Sequence, residues 1–189
     1  MSDLQYATLP PNLPIPVDDG ACHGLAGRRL PGVSLLSTSG RQVSPGEHRG
    51  RLVLYVYPLT GRPGVPLPEG WDAIPGARGC TPESCAFRDH HAEIRGLGAE
   101  VFGMSTQSTD YQREVHDRLH LTFDLLSDPN FSFADALGLP SFEVAGTRLL
   151  KRVTLVCNEG HIERVFYPIF PPDKHPSEVV AHLRKAAAR

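Results

Sequence analysis

The sequence predicts an α/β fold in which a mixed central sheet is flanked by helices. Residues 51–58, RLVLYVYP, form a nearly continuous apolar run of β-branched and aromatic residues, as expected of a strand covered on both faces. Helical periodicity follows in residues 82–98, and strand-like and helix-like segments then alternate towards the C-terminus. Such alternation builds crossover units around a sheet.

The predicted elements follow one another in the order β, α, β, α, β, α, β, β, α. A short strand and turn are predicted before them, in residues 31–45. The elements in this order are strand 51–58, helix 82–98, strand 100–105, helix 109–120, strand 123–128, helix 133–139, a hairpin of 149–157 and 161–168, and helix 176–188. Crossover units that end in a hairpin and a helix are the plan of a thioredoxin-like fold.

The length and composition predict one domain spanning residues 1–189. A chain of 189 residues with 40% hydrophobic residues is long enough for one well-buried core and short for two. Residues 1–25 are rich in proline and are predicted to form an extended arm. Residues 59–78 are rich in proline and glycine and are predicted to form an inserted loop, which at this length is usually functional or mobile.

Charge and hydropathy argue against several classes of partner. The net charge of −2 and the absence of a Lys/Arg run make nucleic acid an unexpected partner. No apolar run approaches the roughly 20 residues of a membrane span, so no membrane association is expected. The N-terminal sequence lacks the pattern of a secretory signal, and cysteines at only 22, 80, 85 and 157 do not resemble a disulfide scaffold. We therefore expect a cytoplasmic location.

Cys80 is the leading candidate for a reactive residue. It follows the Pro/Gly-rich loop and opens the helical segment GCTPESCAFRD, where Thr81 suits the helix cap and Pro82 the first helical position. Unpaired backbone N–H groups and the macrodipole at a helix start favour an anion. The position predicts that Cys80 is a thiolate, and therefore a nucleophile, at neutral pH.

Cys85 lies five residues after Cys80. In an ideal helix this spacing gives a rise of about 7.5 Å and a turn of roughly 140°, whereas a disulfide needs Cα atoms within about 7 Å. The two cysteines can pair only if the first turn unwinds. The spacing suits a reaction in two stages, in which Cys80 attacks an electrophile such as a peroxide O–O bond and Cys85 captures the oxidised sulfur.

The sequence resembles the peroxiredoxins of the bacterioferritin comigratory protein or peroxiredoxin Q type. The resemblance rests on YVYP (55–58), GCTPESCAFRD (79–89), FGMST (102–106), LLSDP (125–129) and KRVTLV (151–156), which occur in the family order. It implies a thiol peroxidase that acts on hydrogen peroxide or small organic hydroperoxides without a cofactor. It also implies that Cys80 is peroxidatic, Cys85 resolving and Arg152 the arginine facing the thiolate, with thioredoxin or a similar dithiol protein as reductant. A monomer or a homodimer fits this type.

One position departs from the family pattern. The family has a threonine three residues before the peroxidatic cysteine, whose hydroxyl bonds the peroxide, and this chain has Ala77 there. Two hypotheses offer a replacement: Thr60 folds back beside Cys80, or Arg78 adds positive charge.

Other readings of the same residues remain open. Because the threonine is missing, the protein could instead be a redox sensor or adaptor in which Cys80 and Cys85 form a switch. A third interpretation is a structural module whose thiols are inactive. A zinc site from Cys80, Cys85, His90 and His91 has poor spacing, and no metal is expected. Arg152 alone, between Lys151 and Val153, also fits an ordinary exposed strand residue, and Cys22 and Cys157 are interpreted as structural.

Overall fold

A mixed β-sheet forms the centre of the protein in the computed structural model, which describes residues 6–188. The strands are β1 (Leu35–Ser37), β2 (Gln42–Val43), β3 (Arg51–Val56), β4 (Ala99–Ser105), β5 (Leu125–Ser127), β6 (Ser141–Val144), β7 (Thr147–Leu150), β8 (Val153–Asn158) and β9 (His161–Phe166). The helices are α1 (Cys80–Gly96), α2 (Thr109–Arg118), α3 (Ser132–Leu137) and α4 (His175–Ala187), with short 3-10 helices at Pro45–Glu47 and Trp71–Ala73.

The main sheet has the strand order β2-β1-β5-β4-β3-β8-β9 among the described residues, and β6 and β7 pair as a separate hairpin. Strand β4 runs parallel to both β3 and β5, whereas β8 is antiparallel to β3 and to β9. The crossovers through α1 and α2 produce the parallel pairs, and the terminal hairpin produces the antiparallel ones. The predicted mixed sheet with flanking helices, of the thioredoxin-like type, is confirmed.

Strand β3 is buried on both faces, which explains its unbroken apolar sequence. Leu52, Leu54 and Val56 point into a cluster that includes α3 and the end of the N-terminal arm. Val53 and Tyr55 point to the other face, against α1, α2 and α4. Val56 at the end of β3 pairs with Val153, and the neighbouring Arg152 contacts Cys80. The start of α1 therefore lies beside the carboxyl end of the central strand, the edge where open α/β sheets bind ligands.

Helix α1 begins earlier than predicted. Cys80 is its first residue, and Gly79 is its N-cap with a φ of 109°. The prediction of Thr81 as cap was therefore wrong, and Pro82 is third in the helix rather than first. Pro82 is tolerated there because the first-turn N–H groups have no partner within the helix. A Cβ at position 79 would lie 2.4 Å from Pro172 Cγ, so both the backbone conformation and the close approach require glycine.

The predicted strand over 149–157 is two strands. Leu149 and Leu150 end β7, and Val153 begins β8, so Lys151 and Arg152 form the connection between them. The prediction that Arg152 lies within a strand was wrong, and the hairpin of β6 and β7 was not anticipated. The break lets Arg152 turn inward, with only 4% of its surface exposed.

Residues near the start of the N-terminal arm, Tyr6 and Leu9, and the 59–78 loop lie over the start of α1. Tyr6, Cys22 and Leu25 of the arm are buried against the rest of the protein. Trp71 of the loop is also buried, in a small apolar cluster with the β6–β7 hairpin. Within residues 6–188, no helix has the length and apolar character needed to cross a bilayer.

Candidate active site

Arg152 holds together the groups around Cys80. Its Nη2 atom donates to Cys80 Sγ at 3.2 Å. Its Nη1 atom donates to the carboxylate of Glu83, one turn into α1. The remaining hydrogen bonds go to the backbone carbonyls of the loop before the helix, at Gly76 (3.2 Å), Ala77 (3.1 Å) and Arg78 (3.2 Å). A rigid guanidinium fork that meets so many acceptors fixes the loop, the helix and the sulfur relative to one another.

The thiol of Cys80 is buried, which the sequence did not predict. Only 2% of the residue surface is exposed, and the thiol donates to the Ala77 carbonyl at 3.7 Å. Burial raises the pKa of Cys80 above its ordinary value, whereas the Arg152 guanidinium pulls it down and the Glu83 carboxylate pushes it up. A hydrogen bond from the Leu59 backbone also favours the thiolate. The helix-start argument did not include this burial, and Arg152 is the main influence that opposes it.

Glu83 is a site residue that the sequence reasoning missed. The carboxylate is fully buried and forms an ion pair with Arg152. Burial raises the pKa of Glu83 to about 7, against the opposite pull of Arg152. Its second oxygen, Oε1, has no hydrogen-bond partner among the described residues. An acid in the first turn of a helix is common because the helix macrodipole favours it, so the sequence alone did not mark Glu83 as buried.

Cys85 lies in the same helix as Cys80, and both thiols are free. The side chain is half-buried and packs against the apolar cluster beneath α1. Burial raises the pKa of Cys85, and Arg88 acts in the opposite direction. The helix is regular through both positions, so the two sulfurs are held apart as their spacing predicts.

Of the two groups considered as replacements for the missing hydroxyl at Ala77, Thr60 is hydrogen-bonded elsewhere, whereas Arg78 lines the small cavity at Cys80. Thr60 Oγ1 donates to Gln107 at 2.9 Å. Arg78 also pairs with Asp72 at 3.1 Å. Thr81, however, lines the same small cavity as Cys80, and its buried hydroxyl has no hydrogen-bond partner among residues 6–188.

Cys22, Cys157, His90 and His91 have their contacts elsewhere. Burial raises the pKa of Cys22 and of Cys157 to about 12, so both thiols are neutral at physiological pH. His90 contacts Ser177, and His91 contacts Thr122. In the part of the chain that the structure describes, no group of three or more His, Cys, Asp or Glu side chains is arranged to hold a metal ion.

The fold and the cysteine at the start of α1 define a redoxin. The Redoxin family model matches residues 25–183, and the chain belongs to that family. Peroxiredoxin Q of Sedum lineare, a chloroplastic protein, is 30% identical over 159 residues, or 84% of this chain and 77% of the relative. The chloroplastic peroxiredoxin Q of Oryza sativa subsp. japonica is 29% identical over 84% of this chain, which spans 66% of that relative's length. Within the redoxins, the chain belongs to the peroxiredoxin Q type.

Solved structures show the same fold. Peroxidoxin BcpB from Mycobacterium tuberculosis superimposes with a TM-score of 0.69 at 24% identity, covering 86% of this chain and 98% of that one. The Xanthomonas campestris bacterioferritin comigratory protein, studied for its alkyl peroxide reduction activity, gives a TM-score of 0.67 at 22% identity, covering 86% of this chain and 99% of that one.

Proposed function

We propose that this protein is a thiol peroxidase in which Cys80 attacks the peroxide. The observation that carries the proposal is the Arg152 guanidinium, 3.2 Å from the Cys80 sulfur at the start of a helix. A buried cation in hydrogen-bond contact with a thiol stabilises the thiolate and is also placed to stabilise charge that develops on a peroxide oxygen. Membership of the peroxiredoxin Q type supports the same assignment.

The first chemical step breaks the O–O bond. The Cys80 thiolate attacks one oxygen of ROOH, forms an S–O bond and displaces the other oxygen as RO⁻, which takes up a proton to become water or an alcohol. The sulfur is oxidised to a sulfenic acid, and the peroxide is reduced by two electrons. Arg152 faces the sulfur and stabilises the anionic reactant and the departing oxygen.

The peroxide has polar partners besides Arg152. Pro82 has no N–H, so the first-turn donors that the helical hydrogen bonds leave unpaired are those of Cys80 and Thr81. The Thr81 hydroxyl is buried beside the same cavity. We assign these donors the role that the family threonine would have had at Ala77.

The second step joins Cys80 to Cys85. The Cys85 thiol attacks the sulfenic sulfur, which releases water and forms a disulfide. Because both residues are helical, the first turn of α1 must unwind, and the Arg152–Glu83 ion pair must open with it. A dithiol protein of the thioredoxin kind then reduces the disulfide and returns both thiols.

A redox sensor is the second candidate. The hydroxyl that the family places three residues before its peroxidatic cysteine is absent, since this chain has Ala77 there. A site without this group is oxidised less efficiently, which fits a switch better than an enzyme that turns over. In this reading, the unwinding of α1 changes a binding surface instead of completing a catalytic cycle.

Steady-state turnover distinguishes the two candidates. With thioredoxin, thioredoxin reductase and NADPH, we expect the wild-type protein to consume many equivalents of hydrogen peroxide, and a Cys80→Ser variant to consume none. Consumption that stops after a single equivalent per protein, with the reductase system still active, would favour the sensor and contradict the peroxidase.

A further inference from the structure

Two cavities meet at the side chain of Tyr6. The inner cavity reaches Cys80 and has a volume of about 10 Å³, which is room for about one water molecule. The outer cavity opens at the surface and has a volume of about 410 Å³. Both are lined by Tyr6, Leu67, Trp71 and Arg78. These residues form the wall that the two cavities share.

Tyr6 is held in place although it belongs to the N-terminal arm. The residue is 9% exposed, and its hydroxyl donates to the Val65 carbonyl at 2.7 Å. The ring lies directly on Gly61, where a Cβ would be 2.4 Å from the aromatic carbons. On another side, the Arg78 guanidinium carbon is 5.2 Å from the ring centroid, a cation–π contact. The arm therefore contributes a fixed wall to the cavity at Cys80.

We infer that Tyr6 is a specificity-determining residue that limits access to Cys80 to substrates of about the size of hydrogen peroxide. This inference rests on the proposed function and narrows its substrate class. Hydrogen peroxide has two heavy atoms and needs only a small adjustment of an inner cavity of about 10 Å³. A hydroperoxide with an aromatic or branched alkyl group needs the volume that the Tyr6 ring occupies.

Truncation of Tyr6 should join the two cavities. In a Cys85→Ser background, where oxidised Cys80 cannot form the proposed disulfide, Tyr6→Ala should raise the rate constant for cumene hydroperoxide relative to that for hydrogen peroxide by about tenfold or more. Alkylation of Cys80 should show the same trend: the rate constant for the bulky N-phenylmaleimide should increase more than the rate constant for the small iodoacetamide. Quenched-flow mass spectrometry measures all four rate constants.

Two further variants test whether the change in the rate ratios comes from loss of the Tyr6 ring, from loss of its hydroxyl or from a general loosening of the structure. Tyr6→Phe keeps the ring and loses only the bond to Val65, so its rate ratios should remain near those of the parent. Gly61→Ala places a methyl group where the ring lies, displaces it, and should reproduce the effect of Tyr6→Ala in a protein that keeps the tyrosine.

The alkylation and peroxide results test different statements. If neither Tyr6→Ala nor Gly61→Ala changes the size dependence of either reaction, or if Tyr6→Phe changes it as much, the inference is wrong. If the size dependence of alkylation changes as expected but no peroxide oxidises Cys80, the role of Tyr6 in access holds and the proposed peroxidase function fails.

Discussion

Replacement of Arg152 by methionine is expected to slow the oxidation of Cys80 by hydrogen peroxide by about 10²- to 10³-fold, the usual effect of removing a donor that stabilises transition-state charge. Burial already raises the pKa of Cys80, and Arg152 is the main influence that lowers it. Without the guanidinium, less thiolate is present and the departing oxygen loses its cation. Stopped-flow kinetics in the Cys85→Ser background measures the rate constant.

The same substitution should destabilise the protein in a pH-dependent manner. Glu83 would keep a buried charge without its partner, a change that costs about 3–5 kcal/mol of unfolding free energy when the carboxylate is ionised. Burial already raises the pKa of Glu83 in the folded protein from 4.5 to about 7, so the folded state holds a proton that the unfolded chain releases. Stability of the wild-type protein therefore falls as the pH rises from 4.5 to about 7. Loss of the guanidinium raises the pKa of Glu83 further, so the stability of Arg152→Met keeps falling above this window, and its loss relative to the wild-type protein should be larger at pH 8 than at pH 6.

A double variant separates the two effects of Arg152. Arg152→Met with Glu83→Gln removes the buried charge together with its cation, so it should recover much of the lost stability in urea unfolding. The oxidation rate should stay low, because the guanidinium at the sulfur is still absent. Recovery of both properties in the double variant would show that Arg152 acts only as a structural partner of Glu83.

Substitution of Gly79 by alanine is expected to damage stability and reactivity together. The backbone at this N-cap has a φ of 109°, and a Cβ would lie 2.4 Å from Pro172 Cγ and 2.8 Å from Leu9 Cδ2. Backbone strain alone costs about 1–3 kcal/mol. Relief of the clash must move the arm, the Pro172 loop or the start of α1, and a displacement of about 1 Å at a reacting atom can cost about 10²-fold in rate.

Gly98, near the other end of α1, provides the matched control. It also has a positive φ, of 79°, but a Cβ there meets nothing within 4 Å. Gly98→Ala should therefore lose stability from backbone strain and leave the rate of Cys80 oxidation unchanged. Equal rate constants for Gly79→Ala and the wild-type protein, measured under conditions where both are folded, would show that the close packing at Gly79 does not position Cys80.

Much of the fold follows from local sequence patterns. The apolar run of β3 predicts a strand, because a strand buried on both faces is apolar at nearly every position. The periodicity of α1 and α4 predicts helices, because a helix buried on one face repeats its apolar residues every three to four positions. The start of α1 was misplaced, since Thr81 and Pro82 are good first-turn residues at several positions, and only the conformation of Gly79 decides between them. The break before β8 was missed because two cations between apolar runs fit a strand as well as a connection.

The chemistry of the site was harder to predict than its residues. Cys80 and Arg152 were identified from the sequence, and the structure brings them into contact. The burial of Cys80 was not predicted because a helix-start argument considers the local backbone only, whereas the burial comes from segments distant in the chain. Tyr6 and Thr81 had no local signal, since their roles depend on how the arm and the loop pack over the helix.

The most direct test of the central claim is the intact mass of the protein after one equivalent of hydrogen peroxide. If Cys80 attacks the peroxide and Cys85 resolves the product, the wild-type protein loses two hydrogens, and Cys85→Ser gains one oxygen that peptide mapping places on Cys80. An unchanged mass in both proteins, or an oxygen placed on another residue, would contradict the account.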